Sequence, residues 1–311
     1  MSPERTSGLL LRLYPARWRA RYGEELKALI LDASEGRASW RLGIDVALGA
    51  VRERLRSAGI IGDLPPAERA RGGILLVLAA WAPFVMAGVV VQKFSEHWQT
   101  ATPPGSRTLA TSAFDVLLSG AAVATALILA GVAVALPAAV RFLRSGGWRE
   151  VRRHLVVAGA LTVVAVPVSI MMVVWAHGLS AAQRNGQDAA YETAVVVWAL
   201  VLALWLVAWT VVGVALGRRL ALSTRALRYV ALLAVGVALS MAAMTAATAL
   251  WWVALARSAP WFLAGEPAGS PGSSFAPALL LAAIVMVGAA GAAAIGASRA
   301  LRGAPPAAPR P

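Results

Sequence analysis

The stretch RGGILLVLAAWAPFVMAGVVVQK, Arg71 to Lys93, decides the fold. Between its charged ends, Gly72 to Val91 carry no ionisable side chain. A helix needs about 20 such residues to cross roughly 30 Å of hydrocarbon. Five further apolar blocks follow: Phe114 to Val140, Leu155 to Trp175, Ala194 to Leu216, Tyr229 to Ala256 and Pro277 to Ala297. Each is bounded by Arg clusters or by Gly, Pro and Ser, which interrupt regular structure. Backbone amides in hydrocarbon must bond within their own segment, and the period-2 alternation of a membrane barrel is absent, so the blocks read as helices.

The expected class is all-α: a polytopic membrane protein with six transmembrane helices in three hairpins, preceded by a small amphipathic helical head. The chain divides into a head over 1–71, a bundle over 72–297 and a flexible Pro/Ala-rich tail over 298–311. Composition agrees, with 59% hydrophobic and 14% charged residues against about 45–50% and 25% in soluble domains. The early apolar run Leu9 to Leu11 is broken by Arg12, too short for a signal-peptide core, so insertion is expected to begin with the first span. With no Cys, disulfides and thiolate metal sites are excluded.

Lys and Arg set orientation through the positive-inside bias. Of 29 such residues, 25 fall before the first span, in the Arg141–His154 and Gly217–Arg228 connections, or after Ala297. The remaining connections hold one each: Lys93, Arg107, Arg184 and Arg257. The expectation is a plasma (inner) membrane protein with both termini cytoplasmic. The net charge of +14 is then matched by anionic headgroups and requires no nucleic acid. Trp98, Trp175, Trp251, Trp252 and Trp261 fall near the expected outer boundary, where indole rings are favoured. Trp81, Trp205 and Trp209 lie mid-span and read as interhelical packing.

Pro83 and Pro167, each central in its span and followed by a β-branched run, suggest a tandem hairpin repeat. Gly288, Ala292 and Gly296 form a small-residue row that lets another helix approach closely. The Arg257–Ser274 loop, with LAGEPAGSPGSS, and the tail GAPPAAPRP read as flexible.

Ahead of the spans lies LYPARWRARYGEEL, Leu13 to Leu26. Pro15 suits a first helical turn. From there Trp18, Tyr22, Leu26 and Leu29 or Ile30 recur at helical spacing. With Tyr14 they form one stripe, and Tyr14, Trp18, Tyr22 and Leu26 are the expected packing residues of the head. Arg17, Arg21, Glu24 and Glu25 are left to present a mixed-charge face to a protein partner. A second helix, about Trp40 to Ser57, shows Ile44, Leu48, Val51 and Leu55 on one side. Together with the segment Pro3 to Leu13, these helices either form a compact cytoplasmic head or lie along the inner leaflet.

The stretches LLLRLYPARWRARYGEELKALILD and IDVALGAVRERLR resemble the RLYPxRWRxRYGEE cytoplasmic head of actinobacterial-type multi-pass membrane proteins. Tyr14, Pro15, Trp18, Arg21, Tyr22, Gly23, Glu24 and Glu25 carry the resemblance, over about the first 57 residues. Similar heads, called prefix domains, precede some bacterial ABC-type permeases. The large extracytoplasmic domain typical of those permeases is missing here, and the resemblance implies no activity.

Chemistry-bearing patterns are sparse. A rhomboid-type protease needs a serine in span four and a histidine in span six, and neither is present. Glu24 and Glu25 begin an EExxxR-like pattern, but position 29 is Leu. There is no HExxH and no phosphate-binding glycine loop with lysine. His97, His154 and His177 are too scattered for converging metal ligands. Asp115, Asp188 and Glu192 stand near helix starts and read as N-terminal caps, leaving no charge in the hydrocarbon core to couple a proton or sodium gradient. No catalytic residue, cofactor or metal is expected. Two functional readings stay open: a non-enzymatic regulatory or assembly protein whose head binds a partner, or a permease subunit working with a separate ATPase, with RFLRSGGWREVRRH as its coupling element.

Overall fold

The computed structural model describes residues 10–33, 40–57, 65–94, 98–180, 183–184, 188–264 and 276–304. Most of the Pro3–Leu13 segment, the Gly-rich part of the 257–274 loop and the tail after residue 304 lie outside them. The chain forms two compact units, Met1–Arg69 and Ala70–Pro311.

The first unit contains α1 (Ala16–Ala33) and α2 (Trp40–Ser57). Its core is small: Tyr14, Ile30, Val46 and Ala50 are buried, with Leu10, Trp18, Leu26 and Leu42 packed around them. Tyr14 stacks on Trp18 at 4.2 Å between ring centroids, and its hydroxyl donates to the Val46 carbonyl oxygen at 3.2 Å. That bond ties the turn before α1 to the middle of α2. Gly49 makes the approach feasible, because a Cβ there would lie 2.7 Å from the Tyr14 hydroxyl. The core face of α2 is therefore Leu42, Val46 and Ala50. Ile44 and Leu48, grouped in the sequence as its apolar side, are 48% and 61% exposed; the side chains of Val51 and Leu55 lie outside the description. The reason is size: Tyr14 fills the space beside Gly49 and Ala50, and larger aliphatic residues there would collide with the ring.

The second unit is all-helical. Helix α3 (Pro66–Phe94) enters it, followed by α4 (Trp98–Ala101), α5 (Arg107–Phe142), α6 (Trp148–Gly178), α7 (Ala189–Gly217), α8 (Thr224–Ser258), α9 (Pro260–Ala264) and α10 (Ala276–Gly303). Among the described residues, five helical runs are long and apolar enough to cross a membrane: Pro66–Lys93, Pro104–Gly178, Ala189–Gly217, Thr224–Ser258 and Pro277–Gly303. This fits a multi-pass membrane protein.

The count differs from the six separate spans read in the sequence. The second run is 75 residues long and includes both α5 and α6. The Arg141–His154 connection, expected as a loop, is helical on either side of Gly146, which alone leaves helical geometry with φ 97° and kinks the chain between α5 and α6. Glycine has no Cβ to oppose that left-handed conformation, so α5 and α6 meet there at a kink. The helices also begin earlier and end later than the apolar blocks, because flanking Arg and Ala residues are good helix formers and extend them.

The core of this unit is built from α3, α5, α8 and α10. Helix α8 is its centre, packing along both α5 and α10. Of its apolar window 44% is buried, against 6% for α7. Met241, Trp251, Leu255, Met286 and Val91 are among the largest fully enclosed side chains. Helix α7 is apolar on every side and packs along α6; a helix of that composition is suited to hydrocarbon on the faces that no neighbour covers.

Trp98 and Trp251, assigned from sequence to an outer aromatic belt, are only 3% and 1% exposed. They meet edge to face at 6.3 Å, with Phe114 against both. Small neighbours, Ala110, Ala113, Ala247 and Ala254, leave ring-sized space between the helices, so the rings fill the core. Pro83, Pro137 and Pro167 all sit inside helices, as membrane-embedded helices tolerate.

Candidate functional site

Residues Trp18, Tyr22, Glu25, Leu26 and Leu29 recur at spacings of three and four along α1 and so share one face. Facing them from α2 is Glu53, which follows the core residues Val46 and Ala50 at helical spacing. Together these six side chains line a groove of about 410 Å³ in the first unit. Its floor is aromatic and aliphatic, and two carboxylates stand at its wall. Tyr22 is 39% and Leu29 58% exposed.

The two residue sets drawn from sequence mix in this groove. Tyr14 is buried, while Trp18 and Leu26 are half-buried against the small core. Trp18 and Tyr22 continue the ring ladder at 5.3 Å, but Tyr22 is at the surface. Glu25, assigned with the charged face, lies on the aromatic stripe, since it is seven residues from Trp18 and three from Tyr22. The Arg21 guanidinium sits 5.3 Å from the Tyr22 ring centroid, a cation–π distance. Glu24 is exposed, and the Arg17 side chain lies outside the described residues. Glu53 was missed in the sequence; the signal available was its place one turn beyond Ala50.

Tyr14 lies behind the groove. Burial pushes its phenol above the ordinary value, and the Glu53 carboxylate pushes it the same way. Both effects oppose a phenolate, so Tyr14 remains a hydrogen-bond donor to Val46 at neutral pH. The groove has no nucleophile paired with a general base. It brings ring faces and aliphatic groups, which suit an alkyl stem, next to the carboxylates of Glu25 and Glu53.

In the second unit the ionisable residues near span ends behave differently from one another. Asp188 caps α7, accepting from the amides of Ala190 and Tyr191 at 3.0 and 3.1 Å. Glu192 lies in the first turn of the same helix, where the dipole favours an anion. Asp115 is no cap. Helix α5 begins at Arg107, so Asp115 is two turns inside it and exposed, its helix-start reading displaced by the longer helix. His177 Nδ1 is 2.7 Å from the Val173 carbonyl oxygen, and His154 is exposed; His97 lies outside the described residues. Among the described residues no three His, Asp or Glu side chains converge as metal ligands.

The polar groups that matter inside the bundle join α6 to α7. Trp205 and Trp209 both donate their indole N–H to the Thr162 hydroxyl, at 2.9 and 3.0 Å, while that hydroxyl donates to the Ala158 carbonyl oxygen at 2.8 Å. One threonine thus uses both lone pairs and its proton. Trp198 donates to Ser169 at 3.0 Å in the same seam.

In comparisons with known proteins, no family model, no curated protein and no solved structure matches the chain.

Proposed function

We propose that the chain is a non-enzymatic plasma-membrane protein with a regulatory or assembly role, whose N-terminal head recognises a basic segment of a protein partner. The observation that carries this reading is the groove of Trp18, Tyr22, Leu26 and Leu29 flanked by Glu25 and Glu53. The exposed Tyr22 ring and Leu29 side chain beside two carboxylates match the alkyl stem and charge of Lys or Arg.

The bundle is proposed to cross the bilayer six times with both termini cytoplasmic. A straight run of 75 residues would extend roughly 110 Å at 1.5 Å per residue, far beyond one bilayer. Gly146, with its non-helical φ, is the natural place to reverse. In support, the Glu150–Arg219 ion pair at 2.8 Å joins the start of α6 to the end of α7, and Gly73 meets Gly296, joining the start of α3 to the end of α10. Arg-bearing ends therefore gather together.

A photoreactive residue introduced at Leu29, in the full-length protein in cells, tests the head. The expected product is a cross-link to a Lys- or Arg-rich peptide, identified by mass spectrometry and lost on combined Glu25→Lys and Glu53→Lys substitution. A cross-linked peptide that is acidic or apolar, or one that survives the double reversal at unchanged protein level, overturns the reading.

A second reading, a permease subunit driven by a separate ATPase, draws on the exposed turn after α5. Trp148 there is 45% exposed among exposed Arg144, Arg149, Arg152 and Arg153, a combination suited to docking on a cytoplasmic protein. Co-purification of an ATPase lost on Trp148→Ala would favour it.

A further inference from the structure

The second unit contains a half-open cavity of about 370 Å³, walled by α3, α5, α7, α8 and the 218–222 link. Its origin is the way small residues hold the helices. Gly213 and Gly217 on α7 lie against Leu78 and Leu75 of α3, where a Cβ would come within 2.7 and 2.5 Å of their methyl carbons. On the other side Gly236 of α8 lies against Leu127 of α5, at 2.8 Å by the same measure. Each pair is close, and space is left between the pairs.

The cavity is long as well as apolar. Its lining runs along α5 from Leu127 to Ala139 and along α8 from Leu227 to Val237, about 18 and 15 Å at 1.5 Å per residue. Among the described residues that line it, Arg71 alone carries a charge. Water in such a space would lack the two to four polar partners it needs. In a bilayer, the solvent available to fill it is hydrocarbon.

Arg71 stands at one end, immediately before the apolar run of α3. Its Nη1 donates to the Arg218 carbonyl oxygen at 3.4 Å, a long bond, while its Nε is buried with no hydrogen-bond partner. A buried guanidinium N–H without an acceptor is costly and is met well by a phosphate oxygen. Arg218, Arg225 and Arg228, all exposed, lie in the same link and the start of α8 that supply Leu220, Leu222 and Leu227 to the lining.

We propose that this cavity is a specific lipid site, holding one acyl chain of an anionic glycerophospholipid with its phosphate on Arg71. The site joins two features that occur at the right separation: an aliphatic slot within one leaflet and a cation with an unsatisfied donor at headgroup level. It rests on the chain lying in a bilayer and is independent of what the head binds.

The test uses the full chain in nanodiscs of phosphatidylcholine with a minor share of phosphatidylglycerol, followed by transfer to mild detergent and native mass spectrometry. Wild type should retain one phospholipid per chain, enriched in phosphatidylglycerol over its share in the disc. Arg71→Gln should reduce that enrichment roughly tenfold, the worth of one charge-assisted hydrogen bond, while Arg71→Lys keeps most of it. Ala135→Phe, which fills the slot, should lower retention of both lipids, with circular dichroism confirming unchanged helicity. Glycerophosphate, the headgroup chemistry without a chain, should not displace the bound lipid. The proposal is overturned by absence of retained lipid, by retention indifferent to Ala135→Phe, by headgroup preference indifferent to Arg71→Gln, or by displacement with glycerophosphate, which would make the site one for free phosphate.

Discussion

Gly73 and Gly296 are in backbone contact: a Cβ on Gly296 would lie 2.7 Å from the Gly73 carbonyl oxygen, and one on Gly73 would lie 2.6 Å from the Ala300 amide nitrogen. No flexible side chain can yield at either point, because the obstacles are main chain. Within a membrane, where apolar surface gains nothing by leaving lipid, such close approach is a principal source of helix–helix attraction. Gly73→Val and Gly296→Val should each destabilise the bundle by about 1–3 kcal/mol, as overpacking does, read as a lowered unfolding temperature in detergent. Gly288→Ala is the control: nothing lies within 4 Å of a Cβ there, so it should not destabilise and should gain up to about 1 kcal/mol from the loss of a mid-helix glycine.

Thr162 supports a second prediction. Thr162→Val keeps the shape but removes the acceptor of two indole N–H groups and a donor, leaving Trp205 and Trp209 unsatisfied in the α6–α7 seam. Interhelical hydrogen bonds in membranes are worth about 0.6 kcal/mol each on average, so a loss near 1 kcal/mol is expected for the pair. Thr162→Ser should recover most of it. Equal destabilisation by Ser and Val would assign the effect to packing of the methyl group and remove the polar explanation.

These two contacts show what sequence carried and what it did not. Apolar block length and Arg placement were sufficient for the helical membrane class, since both follow from the thickness and charge of the bilayer. Gly296 could be read as a close-approach position from its spacing with Gly288 and Ala292, but its partner could not, because Gly73 stands in an ordinary apolar run. Thr162 was equally hidden: a lone threonine in a span bonds its own helix by default, and only the arrival of α7 gives it two more partners. The near-direct junction of α5 and α6 was illegible because Gly-rich, Arg-rich sequence reads as a loop, whereas only Gly146 leaves helical geometry there. In the head, spacing found the aromatic stripe, whereas the packing face of α2 went unread, because Tyr14 packs where Gly49 and Ala50 leave room rather than against the larger Ile44 and Leu48.

Tyr14 makes a pH-dependent contribution to the head. Burial first, and Glu53 second, raise its phenol above the ordinary value near 10. The folded state therefore binds the proton more tightly than the unfolded state. The stability this confers is fully present below about pH 10, the unfolded value, and is lost as pH rises through the folded one. The near-ultraviolet dichroism of the stacked Tyr14–Trp18 pair should disappear at lower temperature as pH passes that range, and Tyr14→Phe should remove the dependence. Glu53→Gln should move the phenolate transition downward. If wild type minus Tyr14→Phe shows a tyrosine ionising with the exposed ones, the buried-donor account fails.

Asp115 tests the absence of ion coupling. It is exposed on α5 rather than paired within the core, and coupling residues ordinarily face the bundle interior. Asp115→Asn should leave bundle stability within about 0.5 kcal/mol of wild type, as surface substitutions do, and proteoliposomes of either protein should show no uptake driven by an imposed proton or sodium gradient. Gradient-driven uptake abolished by this single change would make Asp115 a coupling residue.

The 75-residue run sets the last prediction, because its two possible paths place the same residues on different sides. If the chain reverses at Gly146, Ser106 and Ser180 lie on one side of the membrane and Ser145 on the other; if the run crosses only once, Ser106 and Ser180 are separated by the bilayer. All three are exposed, and the chain has no Cys, so single cysteines report without background. On the proposed orientation Ser145, among Arg141, Arg144 and Arg149, lies on the cytoplasmic side. An impermeant thiol reagent applied to intact cells should therefore label Ser106→Cys and Ser180→Cys, while Ser145→Cys labels only after the membrane is opened. Labelling of Ser106→Cys without Ser180→Cys would establish a single crossing, and labelling of Ser145→Cys alone in intact cells would invert the orientation. Gly146→Val adds a check on cause: a β-branched residue is strained at φ 97°, so if the reversal depends on that one backbone conformation, the substitution should lower the labelling of Ser180→Cys while leaving that of Ser106→Cys unchanged.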